Sequence, residues 1–61
     1  MQKKILVVDD ETDLVEMLSV RLEANDYQVL KAFDGEDGLN KARENKPDLI
    51  VLDLMLPKID G

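Results

Sequence analysis

Two short apolar runs, Ile5-Leu6-Val7-Val8 and Leu49-Ile50-Val51-Leu52, constrain this chain more than any other feature. Each is continuous and rich in β-branched residues, the pattern of a strand covered on both faces. Each also stops at acid. The first run ends in Asp9-Asp10, and the second ends in Asp53 before leaving through Leu54-Met55-Leu56-Pro57. Two buried strands that finish this way bring three carboxylates to one edge of a sheet. Like charges so close are costly unless a cation sits among them.

The segment between the runs decides how they are connected. Residues Thr12 to Asn25 carry a helical period, with Leu14, Met17, Leu18 and Leu22 on one stripe and Val15 beside it. Thr12 is the expected N-cap, with Asp13 and Glu16 at the positive end of the helix dipole. Asn25-Asp26 is the expected stop, since both residues tolerate the left-handed conformation. Asp at position 26 does so less readily than Gly, at a small cost in stability. Tyr27 to Ala32 reads as a second strand at a sheet edge. Asp34-Gly35 reads as a turn before a helix over Glu36 to Glu44, whose thin apolar stripe is Leu39 and Ala42. Gly38 weakens that helix by about 1 kcal/mol relative to Ala. Asn45-Lys46-Pro47 ends it, because Pro restricts its predecessor and donates no backbone hydrogen bond. Lys58 to Gly61 reads as a loop.

The order strand, helix, strand, helix, strand implies an α/β fold with parallel pairing through right-handed crossovers. In an open parallel sheet, sites form beyond the carboxyl ends of the strands, where the strand order reverses. If the chain steps outward after the first strand and then crosses back, the order is 2-1-3. The reversal then falls between the strands that end in Asp9-Asp10 and Asp53. Mg²⁺ suits such a site, being a hard cation that takes oxygen ligands and keeps several waters beside one or two carboxylates. With neither His nor Cys in the chain, the usual zinc and copper ligands are missing. A carboxylate left over could serve as a covalent nucleophile toward phosphorus. The plainer alternative is that an Asp after a strand is a turn residue or a helix cap. Asp10 could simply begin the first helix. Two acidic strand ends together favour the metal reading.

Composition narrows the rest. At 61 residues the chain is one domain at most. A domain of this size buries only about 60% of the surface its unfolded chain exposes. The chain has no Cys, so disulfides are excluded, which fits a reducing cytoplasm. No apolar stretch approaches the roughly 20 residues needed to span a bilayer, and the four-residue apolar run after the two N-terminal lysines is shorter than expected of a secretory signal. The net charge of −6 disfavours direct nucleic-acid binding, which needs clustered cations. A nucleotide site lacks its Gly-rich loop. The acidic stretch Asp9 to Asp13 fails as a Ca²⁺ loop, because Leu14 stands where a Gly is required.

The segments "ILVVDDE", "YQVLKAFDGEDGL" and "KPDLIVLDLMLPKIDG" together resemble the receiver domain of bacterial two-component response regulators. The last segment is the most specific. The resemblance implies a flavodoxin-like doubly wound parallel sheet, of which residues 1–61 would be the N-terminal half, β-α-β-α-β with strand order 2-1-3. It implies Asp53 as phosphoacceptor, Asp10 as a direct Mg²⁺ ligand and Asp9 as a helper through water. Asp53 and the backbone carbonyl of Met55 would complete the metal's protein ligands. Pro57 and Gly61 would shape the following loop. The implied donor is a histidine kinase, and the receiver itself would promote transfer and later hydrolysis.

A receiver is about twice this length by the same resemblance. The remainder would supply further strands and helices, a Ser or Thr that binds the phosphoryl group, and a Lys that pairs with it. Lys58 does not match that Lys. The outer side of the third strand would then lack a partner, and self-association along that edge is expected. Three functions follow: a receiver-derived phosphoacceptor module with impaired activity, a folding or self-assembly unit without phosphoryl transfer, or an aspartyl phosphatase. The last is disfavoured, since such enzymes usually carry a second acid where this chain has Met55. The chain is therefore expected not to be an enzyme, and to be cytoplasmic.

Overall fold

The computed structural model describes residues 2–52. Three strands and two helices alternate along the chain: β1 (Lys4–Val8), α1 (Thr12–Ala24), β2 (Gln28–Ala32), α2 (Gly35–Asn45) and β3 (Leu49–Leu52). The sheet is parallel throughout, with spatial order β2-β1-β3. This is the expected 2-1-3 half of a doubly wound, flavodoxin-like sheet. β1 is central and its side chains alternate between two separate cores. Ile5 and Val7 pack with Val15, Leu18 and Leu22 of α1, together with Val29 and Val51. Leu6 and Val8 pack with Ala32, Leu30 and Ala42 of α2 on the other face. The two helices therefore cover opposite faces of the sheet.

The termini of α1 explain where it starts and stops. Its N-cap is Glu11, not Thr12, and Thr12 is the first helical residue. The carboxylate of Asp9 accepts a hydrogen bond from the Glu11 N–H at 3.0 Å. The Glu11 carbonyl then accepts the first bond of the helix, from the Val15 N–H at 3.1 Å. The turn at Asp9 thus sets the helix start one residue earlier than the capping preference of Thr suggests. At the other end Asp26 adopts φ 71°, as expected of the stop at Asn25-Asp26. Its N–H donates to the Glu23 carbonyl at 3.0 Å, and the Tyr27 N–H donates to the Leu22 carbonyl at 3.1 Å. These paired bonds close a Schellman motif around a left-handed residue. Tyr27 is occupied in that motif, so β2 begins at Gln28 rather than Tyr27.

The buried stripe of α1 is rotated from the expected one. Met17 is 55% exposed, whereas Val15 and Ser19 are buried. Ser19 can sit inside because its hydroxyl donates to the Val15 carbonyl at 2.7 Å, which satisfies it within its own helix. α2 is longer than expected at both ends. Asp34 is its N-cap, accepting from the Asp37 N–H at 2.8 Å, and Gly35 is its first residue rather than part of a separate turn. It ends at Lys46, which takes the left-handed conformation at φ 48° directly before Pro47. The Lys4 ammonium donates to the Asn45 carbonyl at 3.2 Å, satisfying one of the end carbonyls of α2.

Gly38 costs helix propensity but makes the α2–β1 packing possible. A Cβ built there would lie 2.8 Å from Cγ2 and 3.0 Å from Cγ1 of Val8. Val8 is a β-branched residue on the central strand, so its methyls have little freedom to retreat. Gly38→Ala should therefore lower stability. Overpacking costs about 1–3 kcal/mol against a propensity gain of about 1 kcal/mol, leaving a net loss of about 1 kcal/mol. Urea unfolding measures this, and in a Val8→Ala background the penalty should vanish. A higher midpoint for the single variant would contradict the close approach.

One further expectation is corrected. β3 is not buried on both faces: Leu49, Ile50 and Leu52 are exposed and only Val51 is half-buried. Among the described residues β3 pairs with β1 alone.

Candidate functional site

β1 ends at Val8, and the next two residues are the acidic pair. Asp9 is 4% exposed and Asp10 is exposed. Asp9 is fixed by its own backbone as well as by its side chain. Its N–H donates to the Ala32 carbonyl at 3.2 Å, extending the β1–β2 ladder by one bond. Its carboxylate holds the Glu11 N–H, so the β1–α1 turn is built on it. The structural role weighed for an Asp after a strand is thus real for Asp9.

The register places the other strand end beside this turn. Val8 pairs with Leu52, and Asp53 is the next residue in the sequence. Asp53, Met55, Pro57, Lys58 and Gly61 lie outside the described residues. A hollow of about 470 Å³ opens at this end of the sheet, lined by Val8, Asp9, Asp10, Asp34, Gly35 and Leu52. Among the described residues its charged lining groups are carboxylates, oxygen donors of the kind a hard divalent cation takes. The donor chemistry therefore fits Mg²⁺. Among the described residues no three acidic, His or Cys side chains converge closely enough to hold a metal. Asp9 and Asp10 are the described members of the expected set.

Asp34 is the residue at this mouth that the sequence reading treated only as a turn. Its carboxylate is engaged in capping α2. The sequence signal for that role was available: an Asp followed three residues later by an acidic residue, before a helical stretch. Elsewhere, Lys41 donates to the Lys31 carbonyl at 2.8 Å and to the Asp37 carboxylate at 3.0 Å, while Lys31 pairs with Glu16 at 3.0 Å. These contacts tie both helices to β2, and exposed pairs of this type contribute less than about 1 kcal/mol each.

The profile of the response regulator receiver domain family matches residues 5–61. The chain belongs to that family. It is 61% identical over its whole length to the alkaline phosphatase synthesis transcriptional regulatory protein PhoP of Bacillus subtilis. It is 41% identical, again over its whole length, to the response regulator GtcR of Aneurinibacillus migulanus. Over 95% of its length it is 48% identical to the response regulator ArlR of Staphylococcus aureus. The chain spans about a quarter of the length of these relatives, 25% of the first two and 26% of the third. Membership places the chain within two-component signalling, whose receivers generally use Mg²⁺ for phosphorylation. Among the described residues no helix is long and apolar enough to cross a membrane.

The sequence reading of enzymatic activity is corrected by these findings. A chain that is not an enzyme yet itself promotes transfer and hydrolysis, with an aspartyl phosphatase as an alternative, is not a single consistent expectation. The match to the receiver family and to transcriptional regulators replaces that divided reading with a single one. Receiver domains are phosphoacceptors, and the relatives are named as transcriptional or response regulators.

Proposed function

We propose that this chain is the phosphoacceptor module of a two-component phosphorelay, accepting a phosphoryl group from a histidine kinase onto Asp53. Residues 1–61 would form the N-terminal half of the receiver. The observation that carries the reading is the β1–β3 register: parallel strands pair Val8 with Leu52, and the acidic residues Asp9-Asp10 and Asp53 follow those two positions in the sequence. In the transfer, a carboxylate oxygen of Asp53 forms a bond to phosphorus as the P–N bond to the kinase histidine breaks, the nitrogen keeping the electron pair. Asp10 would hold Mg²⁺ directly, Asp9 would assist through water, and Asp53 and the Met55 carbonyl would complete the protein ligands. When bound, Mg²⁺ supplies the positive charge that offsets repulsion between the carboxylates and the phosphoryl oxygens.

The residues of this chain divide the remaining work. Asp9 is held by the Ala32 carbonyl and by the Glu11 N–H, so the turn that presents Asp10 is fixed on both sides. The proposed location is the cytoplasm, and the proposed partners are a histidine kinase and a second copy of this chain along the outer edge of β3. Direct contact with nucleic acid is not assigned to this segment, whose net charge is −6.

A Mg²⁺ titration of wild type and Asp10→Ala tests the metal assignment. Wild type should bind saturably. The variant should bind more weakly by about tenfold or more, since even an outer-shell partner is worth that much at a metal site. Equal affinity in the two chains would remove Asp10 as a ligand.

A further inference from the structure

The outer flank of β2 is a sheet edge in a doubly wound sheet of order 2-1-3-4-5, the class to which the order β2-β1-β3 belongs. The direction of its backbone groups follows from two bonds. The Gln28 N–H donates to the Lys3 carbonyl at 2.8 Å, and the Asp9 N–H donates to the Ala32 carbonyl at 3.2 Å, so residues 28 and 32 turn toward β1. Alternate residues of a strand share that direction. Leu30 therefore turns inward with them, and the N–H and C=O groups of Val29 and Lys31 face outward. An edge of this kind is a template for another strand. The segment Gln28-Val29-Leu30-Lys31-Ala32-Phe33 adds to the tendency, because most of it is apolar and it contains no Pro.

One of the outward groups is occupied from another element. The Lys41 ammonium, carried by α2, donates to the Lys31 carbonyl at 2.8 Å. The Asp37 carboxylate, one turn earlier on the same helix, accepts from that ammonium at 3.0 Å and holds it there. The opposite face is flanked as well. Lys31 shares the α1 face with Val29, since its register partner Val7 belongs to the α1-side core. Its own ammonium pairs with Glu16 of α1 at 3.0 Å. The edge thus carries a tethered cation on each face.

We infer that Lys41 guards the β2 edge, keeping a second copy of this chain from adding to it as a further strand. An arriving strand needs the Lys31 carbonyl as acceptor for one of its own N–H groups. To reach it, the strand must displace a charged donor, whose hydrogen bonds are stronger than those of a neutral amide. A second copy is the partner excluded, because identical segments of this composition stack on one another in register. The guard sits on a helix and the edge on a strand. Loss of the Lys41 charge therefore opens the edge without altering the sequence of β2. The device does not depend on phosphoryl transfer.

Lys41→Met removes the charge and the donor and keeps most of the aliphatic stem. Partly exposed ion pairs contribute little to folding, so the variant should retain the sheet. Amide hydrogen exchange, followed by NMR at low and high protein concentration, reads the edge residue by residue. In Lys41→Met the outward amides of Val29 and Lys31 should exchange about tenfold more slowly at high concentration than at low. In wild type and in Lys41→Arg, which keeps a cationic donor, they should exchange at the same rate at both. The inward amides of Leu30 and Ala32 report that the sheet is intact. Concentration-independent exchange at Val29 and Lys31 in Lys41→Met would overturn the inference, and so would equal protection of these amides in wild type. Loss of protection at Leu30 and Ala32 in Lys41→Met would also overturn it, making Lys41 a support of the fold rather than a guard of its edge.

Discussion

Leu6→Ala should remove a large share of the stability of the chain, about 2–5 kcal/mol. Leu6 is 0% exposed at the centre of the middle strand, in the core that also holds Val8 and Ala32. Leu→Ala changes at such sites cost about 2–5 kcal/mol, from lost burial and from the cavity left behind. At roughly 0.05–0.15 kcal/mol per residue a domain this size has only about 3–9 kcal/mol to lose. The deficit is therefore comparable with the whole stability. Each core here is a single layer between three short strands and one helix, so neighbouring elements have little material with which to close the void. Circular dichroism during thermal and urea unfolding reads the effect. Leu39→Ala is the matched comparison, because Leu39 is 53% exposed, and it should change stability by less than about 0.5 kcal/mol. Equal losses in the two variants would mean that the interior is not the one described.

Asp53→Asn should reduce phosphoryl uptake from a phosphorylated histidine kinase to background. A carboxylate is a nucleophile toward phosphorus, whereas the neutral amide that replaces it is not. The amide also brings no negative charge to a divalent cation. Asn preserves the size of Asp, so the variant should keep the circular dichroism and unfolding midpoint of the wild type within about 0.5 kcal/mol. Unchanged folding separates lost chemistry from lost structure. Full uptake by Asp53→Asn would move the acceptor to another side chain, and Asp9 or Asp10 would be the next to replace.

The chemistry of the strand ends was easier to read from the sequence than the packing of the helices. β3 occupies Leu49–Leu52, the span of its apolar run, and β1 extends its run by Lys4 alone. Continuous β-branched runs have little choice of conformation, and two such runs with helical spacers admit few topologies. α1 was placed well but turned wrongly. Its apolar residues are too many for one stripe, and Met17 lost the interior to Ser19, whose hydroxyl is satisfied within the helix. Periodicity cannot see that bond. Gly38 looked like a weakness for the same reason, since its close approach to Val8 is a tertiary fact. Strand length alone likewise could not reveal that β3 stays exposed, because exposure depends on what packs against it. Asp9 illustrates a different limit. Its sequence position suggested a turn or a metal role, and the structure shows the turn: its carboxylate accepts the Glu11 N–H at the start of α1, a contact that depends on how the chain bends after β1.

The most direct test of the phosphoacceptor reading is intact-mass and peptide-level mass spectrometry of the wild-type chain. The chain is incubated with a phosphoramidate donor in Mg²⁺ and, separately, in chelator. The predicted result is one phosphoryl group per chain in Mg²⁺, located on Asp53, and none in chelator. An unmodified chain in both conditions, uptake that ignores Mg²⁺, or modification at a residue other than Asp53 would contradict it.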